Sequence, residues 1–451
     1  MNLALLETVI SNISDVVCGW PLIATVLVLG ILTTIMLGGV QFKYFLDSWR
    51  FIFAPAKQTA ASSDAITPFQ AFINALSASI GNGSIAGMGV AMFLGGPGAA
   101  FWILIFGIFY LSIRFSEVCA SCLWPQKEPG AVLGGPMSYL KRFPYIGSAL
   151  AAIYCVFILF YTFIAGSAMQ SNSIGIVLNQ LTGAPLILIG GVLFCALLYI
   201  AFGGSKRIMM AAEAIIPFKV GIFFITVIAV LVTHYTQIIP ALILIIKSGM
   251  SWQSFSGGLV GVGIQQAMSQ GLIKTINATE AGVGTAGILF GATEGQDPVR
   301  NGIMSMSTAF ISNYLVCFVI MLCFVATGSW NSGLQSTALF SATISTTFGW
   351  LGCWIASFLA LSFGLGVAVA YIFIGKQCWM YLTKGRGITL YNLIFCFAAA
   401  AGTVGSISIV WNLVNLVNAG LIFINVLGLV YLLPHLKKAL KTYTIREKRN
   451  N

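Results

Sequence analysis

Unbroken apolar stretches of about 20 residues recur along the chain and constrain its fold more than any other feature. A helix of about 20 residues crosses the hydrocarbon core of a bilayer, which is about 30 Å thick. Only 7% of the 451 residues are charged and 58% are apolar, whereas soluble domains carry roughly 25% charged residues. A transmembrane β-barrel would instead alternate apolar and polar residues within segments of about ten. The sequence therefore predicts an all-α integral membrane protein.

Counting these stretches predicts eleven transmembrane spans. They cover residues 20–40, 67–94, 98–124, 146–170, 184–202, 212–234, 251–270, 300–326, 349–374, 388–410 and 413–433. The longest segments between them, 41–66, 271–299 and 327–348, are too short to bury a core of their own. We therefore predict one membrane domain, preceded by an N-terminal segment (1–66), whose first helix is peripheral in the family that the sequence resembles below, and followed by a basic tail (434–451).

The basic residues lie almost entirely in alternate gaps between the predicted spans. If the N-terminus is outside, the inner segments hold 19 Lys and Arg residues and the outer segments hold one, Lys247. Because cytoplasmic segments carry the excess of Lys and Arg, this predicts an external N-terminus and a cytoplasmic C-terminus in a cell (inner) membrane. The same distribution argues against nucleic-acid binding, despite the net charge of +11.

Three ionisable residues within the predicted spans need a partner, since charges are costly in the bilayer. Arg114 and Glu117 are three residues apart on one helix, which predicts a structural ion pair. Lys219 in the sixth span has no partner evident from the sequence, and we expect it to pair in space or to extend toward the interface.

A run of polar and glycine residues, Gly81-Asn82-Gly83-Ser84, interrupts the second predicted span near its middle. Unpaired backbone groups at this depth cost several kcal/mol each, so such a break must line a cavity or be buried against protein. The half-helix that follows the break would point free N–H groups at a carboxylate, and the carbonyl groups before it could hold a cation.

A second glycine-rich run, Gly257 to Gly263, lies in the seventh predicted span, five spans after the first. Interrupted spans at matching positions of two five-helix halves indicate a transporter with inverted repeats. This predicts repeats at residues 67–234 and 251–433, with discontinuous second and seventh spans. The alternative is that these glycines only allow close packing of helices.

No motif favours an enzyme or a cofactor. The two histidines form no HExxH pair, and there is no Walker A sequence. Gly81-x-Gly83-x-x-x-Gly87 misses the dinucleotide pattern and lies within a span. We therefore predict neither an enzyme nor a bound cofactor, with a sodium ion as the only metal expected.

Several short motifs in order resemble the alanine or glycine:cation symporter family, the sodium-coupled amino-acid carriers with a LeuT-like fold. The resemblance covers residues 67–435. The matching segments are 79–87, 95–102, 114–118, 134–137, 170–173, 201–208 with Glu213 and Pro217, and 280–284 followed by Asp297 and Pro298.

The resemblance implies sodium-driven import of alanine, glycine or a similar small neutral amino acid by alternating access, with the bilayer, the substrate and a coupling cation as partners. The implied substrate-binding residues are Ser79, Gly81, Asn82, Gly83, Ser84, Gln170, Asn172, Gly261 and Gly263. The implied cation-binding residues are Ser79, Thr279, Ser312 and Asn313.

The sequence departs from the family where carboxylates are expected. Ser312 and Asn313 replace an Asp-Thr pair in the eighth span, and Asn415 replaces an Asp in the last. Fewer acids weaken the electrostatic case for sodium. A proton-coupled or uncoupled carrier and a transport-inactive amino-acid receptor therefore remain alternatives. A channel is disfavoured, because channels need rings of like residues from several subunits.

Overall fold

The computed structural model describes residues 3–53, 66–128, 131–250, 264–293, 297–405 and 407–450, and these are mostly helical. The helices are α1 Leu3–Val17, α2 Trp20–Met36, α3 Val40–Lys43, α4 Phe45–Phe53, α5 Pro68–Ser79, α6 Asn82–Leu123, α7 Pro136–Leu140, α8 Gly147–Tyr161, α9 Met169–Thr182, α10 Leu186–Ala201, α11 Gly204–Thr233, α12 Tyr235–Met250, α13 Ile264–Thr279, α14 Thr285–Gly291, α15 Pro298–Phe310, α16 Val319–Ala326, α17 Ser336–Phe348, α18 Leu351–Thr383, α19 Ile388–Gly402 and α20 Ile407–Asn450. Two short antiparallel strands, β1 Gln126–Glu128 and β2 Ala131–Leu133, follow α6.

Long apolar helices confirm an all-α membrane protein. Within the described residues, seven helical stretches are long and apolar enough to cross a bilayer. They are Thr8–Met36, Pro68–Leu123, Gly147–Thr182, Arg207–Thr233, Pro298–Ala326, Leu351–Thr383 and Trp411–Glu447. Three shorter apolar helices, α10, α12 and α19, lie between them. The count of eleven spans, the inverted repeats, their boundaries and the orientation of the termini stay predictions.

Three segments predicted to lie between spans contain helices. Residues 271–291, placed in a gap by their polar content, form the end of α13 and all of α14, and every one of them is buried. Their Asn, Thr and Glu side chains bond to other parts of the protein, and the placement of this segment outside the bilayer stays a prediction. Residues 235–250 form α12 and residues 336–348 form α17.

The second predicted span is interrupted where its sequence indicates. α5 begins with Pro68 behind a capping box of Thr67 and Gln70, and it ends at Ser79. Ile80 (φ −94°, ψ 85°) and Gly81 (φ −127°, ψ −167°) are non-helical, and α6 then begins at Asn82. The same chain segment turns again at Gly96 (φ 58°), which divides α6 at the boundary between the second and third predicted spans.

A second interruption separates α13 from α14. Glu280, Gly282 and Gly284 have φ values of 53°, 90° and 96°, so the backbone leaves the right-handed helix between Thr279 and Thr285. The glycine run predicted to break the seventh span, Gly257 to Gly263, lies outside the described residues. The break found here follows that run in the chain.

The two interrupted helices lie together at the centre of the molecule. α6 packs along α13 and α14, and α5 contacts α14. α18 covers α5, and it also contacts a π-helical segment, Thr162–Ala168, which links α8 to α9. Large apolar side chains on the outer helices, such as Ile187, Ile225 and Trp350, are 71–79% exposed, as expected of a lipid-facing surface.

Candidate substrate and cation site

A small cavity with both polar and apolar lining lies between the two interruptions. Its lining comes from both breaks, α8, the π-helical segment, α9, α18 and α20, and consists of Ala78, Ser79, Gly81, Gly83, Tyr161, Ala165, Met169, Gln170, Asn277, Glu280, Val367, Tyr371 and Val414. About 20 Å³ is open to the centre of a water-sized sphere, which is room for one or two waters. Of the predicted binding residues, Ser79, Gly81, Gly83 and Gln170 line it.

The first turn of α6 directs its backbone amides toward this region. Asn82 N–H donates to Gln170 Oε1 at 3.1 Å, and Ser84 N–H donates to Gly81 O at 2.9 Å. Gly83 stands between them and lines the cavity. Asn82 and Ser84 N–H thus have partners, and Gly83 lies at a helix N-terminus, where the partial positive charge favours an anion.

Gln170 and Asn172 point in different directions. Gln170 Nε2 donates to Ala165 O at 3.0 Å within the π-helical segment, and this fixes the side chain that accepts from Asn82. Asn172 Nδ2 donates to Gly402 O and Gly405 O, both at 3.0 Å, beyond the end of α19. The structure thus brings Gln170 to the first break and directs Asn172 away from it.

Among the described residues, Glu280 is the one carboxylate that lines the cavity. One of its oxygens accepts from the Thr285 hydroxyl at 2.6 Å, and the other accepts from the Tyr371 hydroxyl. It is 4% exposed. The Thr285 bond braces the irregular segment between α13 and α14. The place of Glu280 in the cavity was not predicted, although its position in an Ala-Gly-Val-Gly motif was a signal.

Asn277 also lines the cavity and was not among the predicted site residues. Its Oδ1 accepts from Asn418 Nδ2 at 2.6 Å, and its Nδ2 lies 3.5 Å from Asn415 Oδ1. Two turns of α20 therefore hold the end of α13 through amide groups. Asn415, noted in the sequence only as a missing acid, serves here as part of this contact.

Oxygen atoms from four residues meet beside the two breaks. The Ser312 hydroxyl donates to Ala278 O and lies 3.5 Å from Ser79 O. The Ser84 hydroxyl lies 3.4 Å from the same Ser79 carbonyl oxygen. Ser312 belongs to a second π-helical segment, Ile311–Phe318, a local geometry frequent at functional sites. Carbonyl and hydroxyl oxygens are ligands that hard cations accept.

The other two predicted cation residues lie elsewhere. Thr279 Oγ1 donates to Thr275 O at 2.7 Å and accepts from Ala281 N–H at 3.2 Å, so it supports the second break. Asn313 Nδ2 donates to Ile103 O at 3.0 Å, on α6. Of the remaining predicted substrate residues, Gly261 and Gly263 lie outside the described residues.

Arg114 and Glu117 do not form the expected ion pair. The ion pairs found within 4.0 Å in the described residues are Arg50–Asp47 and Arg446–Asp297. Glu117 Oε1 accepts instead from Asn425 Nδ2 at 2.7 Å, and the same amide group donates to Gly282 O at 2.9 Å. Glu117 therefore helps to position the second break.

Two interrupted helices that face each other across a small cavity, inside a bundle of apolar helices, define a membrane carrier of the secondary-transporter class. The sequence profile of the sodium:alanine symporter family matches residues 3–451, and the chain belongs to that family. This is a family of transporters, as the motifs of the sequence indicated.

Characterised and uncharacterised relatives align over almost the entire chain. An uncharacterized transporter from Haemophilus influenzae is 27% identical over 456 residues, which cover 99% of this chain and 98% of the relative. The sodium/alanine symporter AgcS from Methanococcus maripaludis is 27% identical, with 94% of each chain covered. The probable sodium/glutamine symporter GlnT from Bacillus subtilis is 26% identical, with 98% of this chain and 92% of the relative covered.

Proposed function

We propose that the protein imports a small neutral amino acid by sodium symport with alternating access. The observation that carries this proposal is the cavity itself, which has the first turn of α6 on one side and the Glu280 carboxylate on another. A zwitterion needs an anion site and a cation site a few ångströms apart. Helix-end amides and a buried carboxylate supply this pair.

The substrate carboxylate is assigned to the first turn of α6, at Gly83. The N-terminal end of a helix carries a partial positive charge as well as free amides, so a carboxylate is favoured there. The substrate ammonium is assigned to Glu280, which already accepts from Thr285 and Tyr371 and keeps lone pairs for a further donor. The cavity must widen to admit any amino acid, and the aromatic rings of Tyr161 and Tyr371 in its lining favour a short side chain.

The coupling cation is assigned to the oxygen cluster of Ser79, Ala278, Ser84 and Ser312. These ligands are neutral, in keeping with the missing carboxylates of the eighth and last spans. Ser79 O and Ala278 O belong to the ends of α5 and α13, where helices carry a partial negative charge. A cation here would join the two interrupted helices, so its binding is coupled to the arrangement of the substrate cavity.

Uptake by proteoliposomes tests the function. Purified protein in vesicles should accumulate labelled alanine or glycine under an inward sodium gradient and should not do so with potassium on both sides. Glu280→Gln keeps the shape of the side chain and removes its charge. At a low substrate concentration it should lower the initial rate of alanine uptake by about tenfold or more.

Asp47→Asn is the matched control, because Asp47 is a surface carboxylate paired with Arg50. It should transport like the unchanged protein. Equal uptake in sodium and potassium would refute sodium coupling and favour the proton-coupled or uncoupled carrier. Binding of labelled alanine without any uptake would favour a receptor.

A further inference from the structure

Lys219 is a buried amine whose partners are main-chain oxygens of the first break. It lies on α11 with 0% of its surface exposed. Its Nζ donates to Ile80 O at 2.8 Å and to Ser77 O at 3.2 Å, with the Ser77 hydroxyl at 3.4 Å. The sequence showed no partner for this lysine, because its partners are carbonyl groups rather than acids.

The surroundings of this amine contain no counter-ion in the described part of the chain. No carboxylate there lies within 4.0 Å of Nζ, and the Phe363 ring lies beneath it at 5.5 Å. Glu280, the acid of the cavity, is engaged by Thr285 and Tyr371. The charge is therefore stabilised by backbone dipoles and an aromatic face.

The chain makes room for the amine at Gly366 on α18. A Cβ at this position would lie 2.6 Å from Lys219 Nζ and 3.0 Å from Ser77 Oγ. The Ser77 hydroxyl donates to Gly366 O at 2.9 Å, so α5, α11 and α18 meet at one point. Gly366 is thus a residue whose missing side chain leaves space for the ammonium group.

Carbonyl groups at the end of an interrupted helix attract a positive charge. Ser77 O and Ile80 O are freed by the break, carry the negative end of the α5 dipole and are shielded from water. Two carbonyls and a hydroxyl on one side of a break form the kind of partial ligand set that transporters offer to a coupling ion. Here Lys219 occupies it.

We propose that the Lys219 ammonium is a fixed cation that replaces a transported ion at the end of α5. The coupling cation then binds only at the Ser79, Ala278, Ser84 and Ser312 oxygens, and the carrier moves one sodium ion per amino acid. This inference rests on the proposed function and specifies its ion requirement.

The flux ratio of the unchanged protein gives the first test. In proteoliposomes with labelled alanine, the reversal potential at set sodium and alanine gradients should correspond to one sodium per alanine. A ratio of two or more would overturn the proposal. This measurement needs no variant, so it does not depend on whether a substitution at Lys219 folds.

Thermal unfolding in detergent, without substrate, gives the second test. Lys219→Met frees Ser77 O, Ile80 O and the Ser77 hydroxyl, so replacing KCl by NaCl should raise its Tm by several degrees more than it raises that of the unchanged protein. Lys247→Met, which removes an exposed lysine of α12, should respond like the unchanged protein.

Equal sodium responses of Lys219→Met and the unchanged protein would also overturn the proposal. Counterflow exchange of labelled alanine at equal sodium on both sides separates this inference from the function it rests on. If the unchanged protein exchanges no amino acid, the proposed function fails. The melting comparison still decides the role of the amine.

Discussion

The two interruptions both end a helix inside the protein, but they do so with different backbone conformations. The first uses two residues, Ile80 and Gly81, and both have negative φ values that any residue can adopt. The second uses the five residues from Glu280 to Gly284, and three of them have φ values between 53° and 96°. Glycine is therefore needed at the first break because a Cβ would clash with its neighbours. At the second break glycine is needed for that reason and also because side chains disfavour positive φ values.

The partners of the two breaks also differ. The first is contacted by Gln170 and Lys219, side chains that bond directly to its amide and carbonyl groups. The second is held by Tyr154, which donates to Val283 O at 2.8 Å, and by Asn425, which donates to Gly282 O. Both breaks border the cavity, but side chains bond to an amide and a carbonyl group of the first break and to two carbonyl groups of the second.

Gly81→Ala should have the largest effect on transport. The added Cβ would lie 2.3 Å from Val367 Cγ2 and 3.3 Å from Gln170 Oε1, so the break must shift. Since misplacement of binding groups by about 1 Å can cost a factor of about 100, we expect alanine uptake to fall by about 100-fold or more. Initial rates in proteoliposomes provide the measurement.

Two further variants test the cause of that loss. Gly191→Ala adds the same methyl group to an exposed glycine of α10 with no atom within 4 Å, and it should transport normally. Adding Val367→Ala to Gly81→Ala removes the clashing methyl groups and should recover part of the activity. If the double variant is as inactive as Gly81→Ala, the clash with Val367 is not the cause.

Gly284→Ala should act mainly on stability. At φ 96° an alanine is strained by about 1–2 kcal/mol, and its Cβ would lie 2.3 Å from Pro136 Cγ and 2.5 Å from Tyr154 Oη. The clash adds about 1–3 kcal/mol. Thermal unfolding should show a lower Tm, together with the reduced uptake of a distorted Glu280 loop.

Gly328→Ala separates strain from clash. Gly328 has φ 72° and no atom within 4 Å of an added Cβ, so it carries only the conformational cost. We expect its Tm to fall less than that of Gly284→Ala. If the two variants lowered the Tm equally, the positive φ value alone would explain the need for glycine at position 284. The contact with Pro136 and Tyr154 would then add nothing.

The comparison also explains what the sequence could predict. The first break was predictable because Gly81-Asn82-Gly83-Ser84 interrupts an apolar run, which local composition reveals. The helices on either side of the second break were harder to predict, because residues 271–291 are polar and polarity suggests a segment outside the bilayer. Their bonds to Asn418, Asn425 and Tyr371 come from residues 91 to 143 positions away, which local patterns cannot report.

Asn172→Ala should give the smallest effect and tests how far the polar residues of α9 belong to the cavity. Asn172 bonds to Gly402 O and Gly405 O, whereas Gln170 bonds to the Asn82 amide. Leaving the two carbonyl groups unpaired should cost about 1–3 kcal/mol and lower the Tm. The KM for alanine should change by less than about twofold, because no cavity contact is lost.

Gln170→Ala is the matched comparison on the same helix. It removes the acceptor of Asn82 N–H at the start of α6, beside the proposed carboxylate site. We expect the KM for alanine to rise by about tenfold, equivalent to about 1.4 kcal/mol. If Asn172→Ala raised the KM as much as Gln170→Ala, the substrate would reach both residues. The cavity between the two breaks would then be only one part of the binding site.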